Sequence, residues 1–274
     1  MQDFLPDKSI RSLNLDDDFL FSKVMSDSNV CKKVLEKILG VSIREIVVPA
    51  TQHTIDLTYD GRGIRLDVYV NDAEGTVYNV EMQRGRRREL PKRSRYYQGN
   101  IDLSIISSGE PYTALKKTFI IFICTFDPFC EGRHIYTFEN TCRENPSLPL
   151  GDEATKIFLN TRGTQNDVDE EMLEFLNYVE HSTQAVADAS RSPLIKEIHK
   201  KVTEVKNNKY LEVEFMTLYE KYREIREDGL EAGRAIATSI IRLHLKGFSD
   251  EQIADTLEIS LEDVKTVISD LESA

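Results

Sequence analysis

The sequence predicts a mixed α/β core followed by an all-helical C-terminal region. Three observations support this fold class. Between residues 43 and 83, short segments rich in β-branched residues are separated by turn signals, as is typical of antiparallel strands. Residues 117–126 contain a continuous apolar run, which indicates a strand covered on both faces. From residue 168 to the end, apolar residues recur at helical spacing.

Residues 16–39 predict one or two helices, with a break near residues 26–29. The acidic start DDD suits the positive end of a helix dipole, and Gly40 is a plausible stop. The remaining elements follow in order along the chain: strands at 43–48, 53–59, 63–70 and 76–83, a helix at 89–107, and strands at 117–126 and 133–138. Asp60-Gly61 and residues 72–75 predict hairpin turns.

Length and composition predict three regions: residues 1–165 as the α/β domain, 166–246 as a helical extension and 247–274 as a helix-turn-helix-like hairpin. The chain has 274 residues, of which 40% are hydrophobic, so global disorder is excluded. No apolar run approaches the roughly 20 residues that span a bilayer, and the first residues lack a secretory pattern. The cysteines and histidines are scattered, without paired spacing. We therefore expect a soluble, cytoplasmic protein with no membrane partner.

The charge is unevenly distributed. The formal net charge is −12, yet residues 1–165 hold 22 basic and 23 acidic residues, against 13 and 24 in residues 166–274. Within the balanced first region the basic residues are bunched between residues 84 and 95. Such a run is either a solvated turn or a patch that attracts phosphate groups.

Two acidic residues on neighbouring predicted strands form a candidate site. Alternation places Asp67 on the polar face of strand 63–70, and it places Glu81 and Gln83 together on one face of strand 76–83. If the two strands pair through the turn at 72–75, the two carboxylates lie side by side. Such a pair suits Mg²⁺ or Mn²⁺, which prefer oxygen ligands, although an ordinary solvated sheet face would show the same alternation.

The order of these residues resembles a known family. The pattern Asp67-x13-Glu81-x-Gln83, within LDVYV and VYNVEMQ, resembles the PD-(D/E)XK nuclease superfamily. More narrowly, it is similar to the Rpn branch of recombination-promoting nucleases and putative transposases, in which Gln replaces the usual Lys. Three further segments agree with this branch: DDDFLFSKVM, KRSRYYQGNI and EKYREIREDGLEAGR.

The resemblance implies a PD-(D/E)XK restriction-endonuclease-like core, with a mixed central sheet flanked by helices, and a metal-dependent DNA endonuclease. In this family's terms, Asp67 and Glu81 would ligate Mg²⁺ or Mn²⁺, and the Met82 carbonyl could help. Gln83 would take the position of the lysine that steers the attacking water. Because a neutral amide cannot supply the charge of that lysine, we expect low intrinsic activity.

Residues around the acid pair have two interpretations each. Asp18 could reach the site from the first helix, or it could cap that helix. Beside a nuclease-like acid pair, we favour the basic run as a DNA-phosphate clamp over a solvated turn. The residues expected to contact DNA are Arg84, Arg86, Arg87, Arg88, Arg93, Arg95 and Tyr97.

The C-terminal hairpin is a poor candidate for reading DNA. Residues 251–274 hold seven acidic residues and one basic residue, Lys265, so DNA phosphates would repel them. We interpret this hairpin as a packing or self-association unit, and the amphipathic stretch 230–245 could support a homodimer. Two alternatives to the endonuclease stay open: a DNA-binding or regulatory protein, and a weakly catalytic nuclease fold used as a binding module.

Overall fold

A computed structural model describes the chain over residues 9–55, 64–85 and 89–273. The chain divides into two compact units, one up to Glu212 and one from Val213. The domain limits after residues 165 and 246 stay a prediction. Within the described ranges, no helix is both long and apolar enough to cross a membrane.

The first unit is built around a mixed sheet that has six strands in the described residues. In chain order they are β1 (Ile46–Ile55), β2 (Ile64–Asp72), β3 (Val77–Gln83), β4 (Thr118–Cys124), β5 (Ile135–Phe138) and β6 (Ala154–Asn160). Their order in the sheet is β1-β2-β3-β4-β6-β5. Strands β3, β4 and β6 run parallel, whereas the β1–β2, β2–β3 and β5–β6 pairs are antiparallel. This arrangement confirms the predicted α/β class.

Helices flank this sheet and make up the C-terminal part of the chain. They are α1 (Asp18–Met25), α2 (Ser28–Leu39), α3 (Leu90–Ile105), α4 (Glu170–Glu180), α5 (Gln184–Ala189), α6 (Pro193–Lys206), α7 (Lys209–Leu245), α8 (Asp250–Leu257) and α9 (Leu261–Glu272). Helices α1, α2 and α6 pack on one another, and α3 packs against β4. The core beside α3 includes Tyr97, Phe122 and Phe158, with Phe122 and Phe158 stacked at 5.3 Å between ring centroids.

The N-terminal helices follow their capping signals. The Asp17 carboxylate accepts a hydrogen bond from Phe19 N at the start of α1, and Asp27 does the same for Asn29 N and Val30 N at the start of α2. Gly40 ends α2 with φ +66°, a conformation that favours glycine. The predicted break near residues 26–29 is therefore confirmed.

The hairpin between β2 and β3 forms at the predicted turn. The Asp72 side chain accepts hydrogen bonds from Glu74 N at 2.9 Å and Thr76 N at 2.8 Å. Gly75, with φ +86°, donates its N–H to the Asp72 carbonyl at 3.0 Å. This local turn chemistry sets the antiparallel register that brings the ends of β2 and β3 to the candidate site.

Two sequence predictions of strands differ from the structure. Segments 43–48 and 53–59 were expected to be separate strands, but β1 is continuous, and its register with β2 shifts between Val47 and Ala50. This irregularity spans Pro49, whose nitrogen has no hydrogen to donate. Strand β6 and the short helix α5 were missed. The Asp60-Gly61 turn lies outside the described residues.

The second unit ends in the predicted helical hairpin. Ser249 forms a capping box with Gln252 at the start of α8, and the Ser260 side chain caps α9. Between the two helices, Glu258 adopts a left-handed conformation with φ +53°. A small apolar core joins this hairpin to the last turns of α7, and it comprises Ile240, Ile253, Ala254, Val264 and Ile268.

Candidate active site

The candidate site lies where β2 and β3 separate. Their backbone pairing extends from Asn71 and Val77 as far as Val68 and Val80. One step further, carboxylates take the place of carbonyl partners: Asp67 N donates to Glu81 Oε1 at 3.1 Å, and Met82 N donates to Asp67 Oδ2 at 3.1 Å. The structure thus brings the two predicted acids together, each holding the backbone of the other's strand.

Glu81 is almost completely enclosed, with 1% of its surface exposed. The Asn79 amide nitrogen, when oriented towards it, donates to Glu81 Oε1 at 3.2 Å and to the Val68 carbonyl at 3.3 Å. Burial raises the pKa of Glu81, and the negative charge of Asp67 raises it further, while the Arg93 guanidinium opposes both effects. Two carboxylates held this close therefore favour an additional positive charge nearby.

Gln83 is held at both ends of its amide. Its Oε1 accepts a hydrogen bond from the Arg93 guanidinium at 2.8 Å, and its Nε2 donates to the Gly85 carbonyl at 2.8 Å. The backbone around it is also fixed, because Thr125 N donates to the Gln83 carbonyl and Thr125 Oγ1 donates to the Arg84 carbonyl. The amide orientation at this position is thus set by neighbouring residues.

Arg93 connects helix α3 to the acid pair. Its guanidinium donates to Glu81 Oε2 at 3.0 Å and to the Tyr97 hydroxyl at 2.7 Å, in addition to Gln83. It also lies over two aromatic rings, 5.0 Å from the centroid of Tyr97 and 5.6 Å from that of Phe122. Sequence reasoning placed Arg93 and Tyr97 on a DNA-binding surface and gave them no contact with the acid pair. Tyr97 is buried in the core beside α3, with 6% of its surface exposed, so it does not offer DNA a surface contact. A DNA contact by Arg93 stays a prediction.

A cleft of about 320 Å³ opens beside these residues. It is lined by Asp18, Asp67, Met82, Gln83, Arg84, Gly85 and Arg93. Glu81 does not line the cleft. Arg93 lines the cleft and donates a hydrogen bond to Glu81 Oε2. The cleft therefore offers a ligand the carboxylates of Asp18 and Asp67 together with the cation of Arg93.

Asp18 reaches the cleft from the first turn of α1. The helix-capping interpretation of this residue is wrong, since Asp17 is the cap. Desolvation by the surrounding protein raises the pKa of Asp18 to about 6, with further contributions from the negative charges of Asp67 and Asp17. Asp18 and Glu81 are thus both acids whose ionised form is disfavoured here, which is a common property of functional sites.

The predicted DNA-binding residues occupy different surroundings. Arg84 is about half exposed and pairs with two acids at the start of α1: its Nε lies 3.1 Å from Asp16 Oδ2, and its Nη1 lies 3.5 Å from Asp17 Oδ2. The sequence did not predict these partners, because the DDD run was interpreted as the start of a helix, with Asp18 as a cap or a site residue. Arg95 is exposed on α3. Arg86, Arg87 and Arg88 lie outside the described residues.

The chemistry of the donor set fits a divalent cation. In the described ranges, no group of three or more His, Cys, Asp or Glu side chains is arranged to hold a metal ion. Asp67 and Glu81 nonetheless supply carboxylate oxygens on adjacent strands, and Asp18 supplies another at the cleft. Mg²⁺ is commonly bound through one or two carboxylates, with water and substrate phosphates completing its coordination.

A mixed sheet flanked by helices is consistent with the α/β core of the PD-(D/E)XK nucleases, which generally use divalent metal ions. The chain matches the model of one family, described as PD-(D/E)XK nuclease family transposase, over residues 16–231. The chain therefore belongs to this family, which confirms the resemblance and supports a nuclease-like function related to mobile elements. Comparisons with curated proteins and with solved structures gave no match.

Proposed function

We propose that this protein is a metal-dependent DNA endonuclease that hydrolyses phosphodiester bonds. The observation that carries the proposal is the reciprocal contact between Asp67 and Glu81 at the separating ends of β2 and β3. Family membership supports the same class of reaction, because the matched range, residues 16–231, includes Asp67, Glu81 and Gln83. The substrate is proposed to be DNA, in line with the mobile-element character of the family.

Asp67, Glu81 and the Met82 carbonyl are the proposed ligands of Mg²⁺ or Mn²⁺, and Asp18 is the proposed additional carboxylate. When bound, such an ion lowers the pKa of water and stabilises negative charge on a phosphodiester. In this proposal Gln83 orients the attacking water. Arg84 and Arg95, with the basic run 86–88, attract the DNA backbone by charge.

Plasmid cleavage tests this function directly. We expect the wild type to nick or linearise supercoiled plasmid with Mg²⁺ or Mn²⁺ and to lose this activity in EDTA. Asp67→Ala and Glu81→Ala should each reduce cleavage by on the order of 100- to 1000-fold, because each removes charge stabilisation from the reacting centre. Thermal unfolding of each variant verifies that it is folded.

A matched control comes from the turn that follows β6. Arg162→Gln breaks the ion pair between Arg162 Nη2 and Glu180 Oε2, which lie 3.0 Å apart. Because Arg162 is not among the residues that line the cleft, this variant should leave cleavage unchanged. Equal loss in this control and in Asp67→Ala would argue against a specific site. Metal-independent cleavage by the wild type would argue against the proposed ligands.

One observation favours a second candidate function. Because the Arg93 guanidinium already neutralises Glu81, the fold could be retained as a DNA-binding module with little catalysis. Salt-sensitive DNA binding by the wild type, without cleavage in either metal, would support this second function over the first.

A further inference from the structure

The acid pair leaves the candidate site short of positive charge. Asp67 and Glu81 are acids, Gln83 is neutral, and phosphodiester hydrolysis adds negative charge at the attacked phosphate. A cation fixed beside the reacting centre would stabilise that charge, and its effect is larger where water is excluded. Among the described residues lining the cleft, two are cationic: Arg84 and Arg93.

These two arginines differ in their side-chain contacts with the candidate site. Arg84 is directed to Asp16 and Asp17 at the start of α1 and is 47% exposed. The Arg93 side chain is 28% exposed, and its guanidinium donates to both Glu81 and Gln83. Arg93 is therefore the cation that the fold presents to the predicted metal ligand and the predicted water-orienting amide.

The position of Arg93 is set by several independent contacts. Its Nε donates to the Tyr97 hydroxyl one helical turn away on α3, and its guanidinium lies over the Tyr97 and Phe122 rings. With Nε, Nη1 and Nη2 each engaged by a different residue, its orientation is restricted before any ligand arrives. Such preorganisation is what makes a fixed charge effective in catalysis.

We propose that Arg93 is the positioning residue of this reaction and supplies the positive charge that Gln83 lacks. Its Nη1 fixes the Gln83 amide with the oxygen towards the guanidinium, and its Nη2 holds Glu81 Oε2. Gln83 thus orients the water and Arg93 supplies the positive charge, two roles that a single basic side chain at position 83 would combine. This inference rests on the proposed endonuclease function.

A charge-exchange experiment tests the inference. At saturating Mg²⁺ and with the plasmid concentration varied, Arg93→Gln should lower kcat by on the order of 100-fold, with a smaller change in KM. Arg93→Lys keeps the charge but not the forked contacts and should fall between that variant and the wild type. Adding Gln83→Lys to Arg93→Gln returns a cation to the site and should recover about tenfold of the lost kcat.

Three outcomes would overturn the inference in an active protein. The first is an Arg93→Gln kcat within about twofold of the wild type, the size of change expected of the Arg162→Gln control. The second is a loss confined to KM, which would indicate a DNA-phosphate contact only. The third is a double variant no more active than Arg93→Gln alone.

A cycle of thermal unfolding measurements in EDTA does not depend on cleavage. In the presence of Arg93, Gln83→Lys places two cations together and should lower Tm, whereas in the Arg93→Gln background it should not. Additive changes in Tm would overturn the Arg93–Gln83 coupling even if cleavage is observed. If the wild type does not cleave DNA but the Tm changes are non-additive, the proposed endonuclease function is refuted. The contact between Arg93 and Gln83 is then still supported.

Discussion

Two groups of acidic residues at one edge of the sheet have opposite electrostatic properties. Strands β3, β4 and β6 are parallel, so their carboxyl ends share an edge. The cleft group comprises Asp18 and Asp67, which line the cleft, and the adjacent buried Glu81, and it lies beside the end of β3. The closed group, Asp127 and Asp167, follows the ends of β4 and β6. Asp18 and Glu81 have a raised pKa, whereas the pKa of both closed-group acids is lowered.

Asp127 has a full set of donors. Its carboxylate accepts hydrogen bonds from Phe129 N at 3.0 Å, Cys130 N at 2.9 Å, Gly132 N at 2.7 Å and the Tyr136 hydroxyl at 2.8 Å. Burial alone would raise the pKa of Asp127, but these donors outweigh it. The carboxylate therefore organises the loop between β4 and β5 and needs no further cation.

Asp167 shows the same balance. It accepts hydrogen bonds from His134 N at 3.1 Å and pairs with His134 Nδ1 at 2.8 Å, and Arg133 Nε lies 3.5 Å away. Burial again acts to raise the pKa of Asp167, and the contacts with His134 and Arg133 lower it overall. In the cleft group, by contrast, neighbouring negative charge adds to burial. The comparison separates acids that hold the fold from acids suited to binding a cation.

The largest effect on stability is expected from breaking the closed group at Asp127. Asp127→Ala removes the acceptor of three backbone N–H groups and one hydroxyl, and should lower the free energy of unfolding by about 3 kcal/mol. Urea denaturation measures this loss. Below the unfolding transition, plasmid cleavage should remain at the wild-type level. A variant as stable as the wild type would remove the distinction between the two groups.

A smaller loss of stability is expected from a substitution that crowds the closed group sterically and changes no charge. A Cβ atom on Gly163 would lie 2.5 Å from the His134 ring and 2.8 Å from His134 N, closer than normal packing allows. Gly163→Ala should therefore lower the free energy of unfolding by about 2 kcal/mol. Gly99→Ala is the control, since open space surrounds that position. Equal stability of the two variants would contradict this packing.

Local sequence patterns predicted the elements that position the acid pair. The turn residues Asp72 and Gly75 define the hairpin, and alternation along β2 and β3 places Asp67 beside Glu81. These signals involve residues that are close in the chain, so they can be recognised in a single sequence. Helix α5 was missed because it has only six residues. Strand β6 is as long as β3 and β4, but it gains its place only by pairing with β4 and β5.

The surroundings of the acid pair could not be predicted in the same way. Arg93 lies in a run of basic residues, and only the packing of α3 against the sheet shows that its guanidinium turns inward to Glu81. The closed group depends on contacts between His134 and Asp167, which are 33 positions apart. Such contacts arise from tertiary packing and leave no periodic signal in the chain.

The smallest predicted effect is the opposite pH dependence of two Asp→Asn variants. Asp18 has a folded pKa of about 6, against about 3.9 when unfolded. The wild type therefore loses stability from this group as pH rises from about 4 to 6. Measured in EDTA, the Tm of Asp18→Asn relative to the wild type should therefore increase over this range.

Asp127 should behave in the reverse sense. Because its folded pKa is lowered, its carboxylate stabilises the protein above the unfolded pKa, and this stability is lost as pH falls through the folded value. Asp127→Asn should therefore have a lower Tm than the wild type at pH 7, and the difference should shrink below about pH 4. Calorimetric scans of both variants across this pH range measure the two trends. If both Tm differences had the same sign at pH 7, the two groups would not differ in the way their donors and neighbouring charges require.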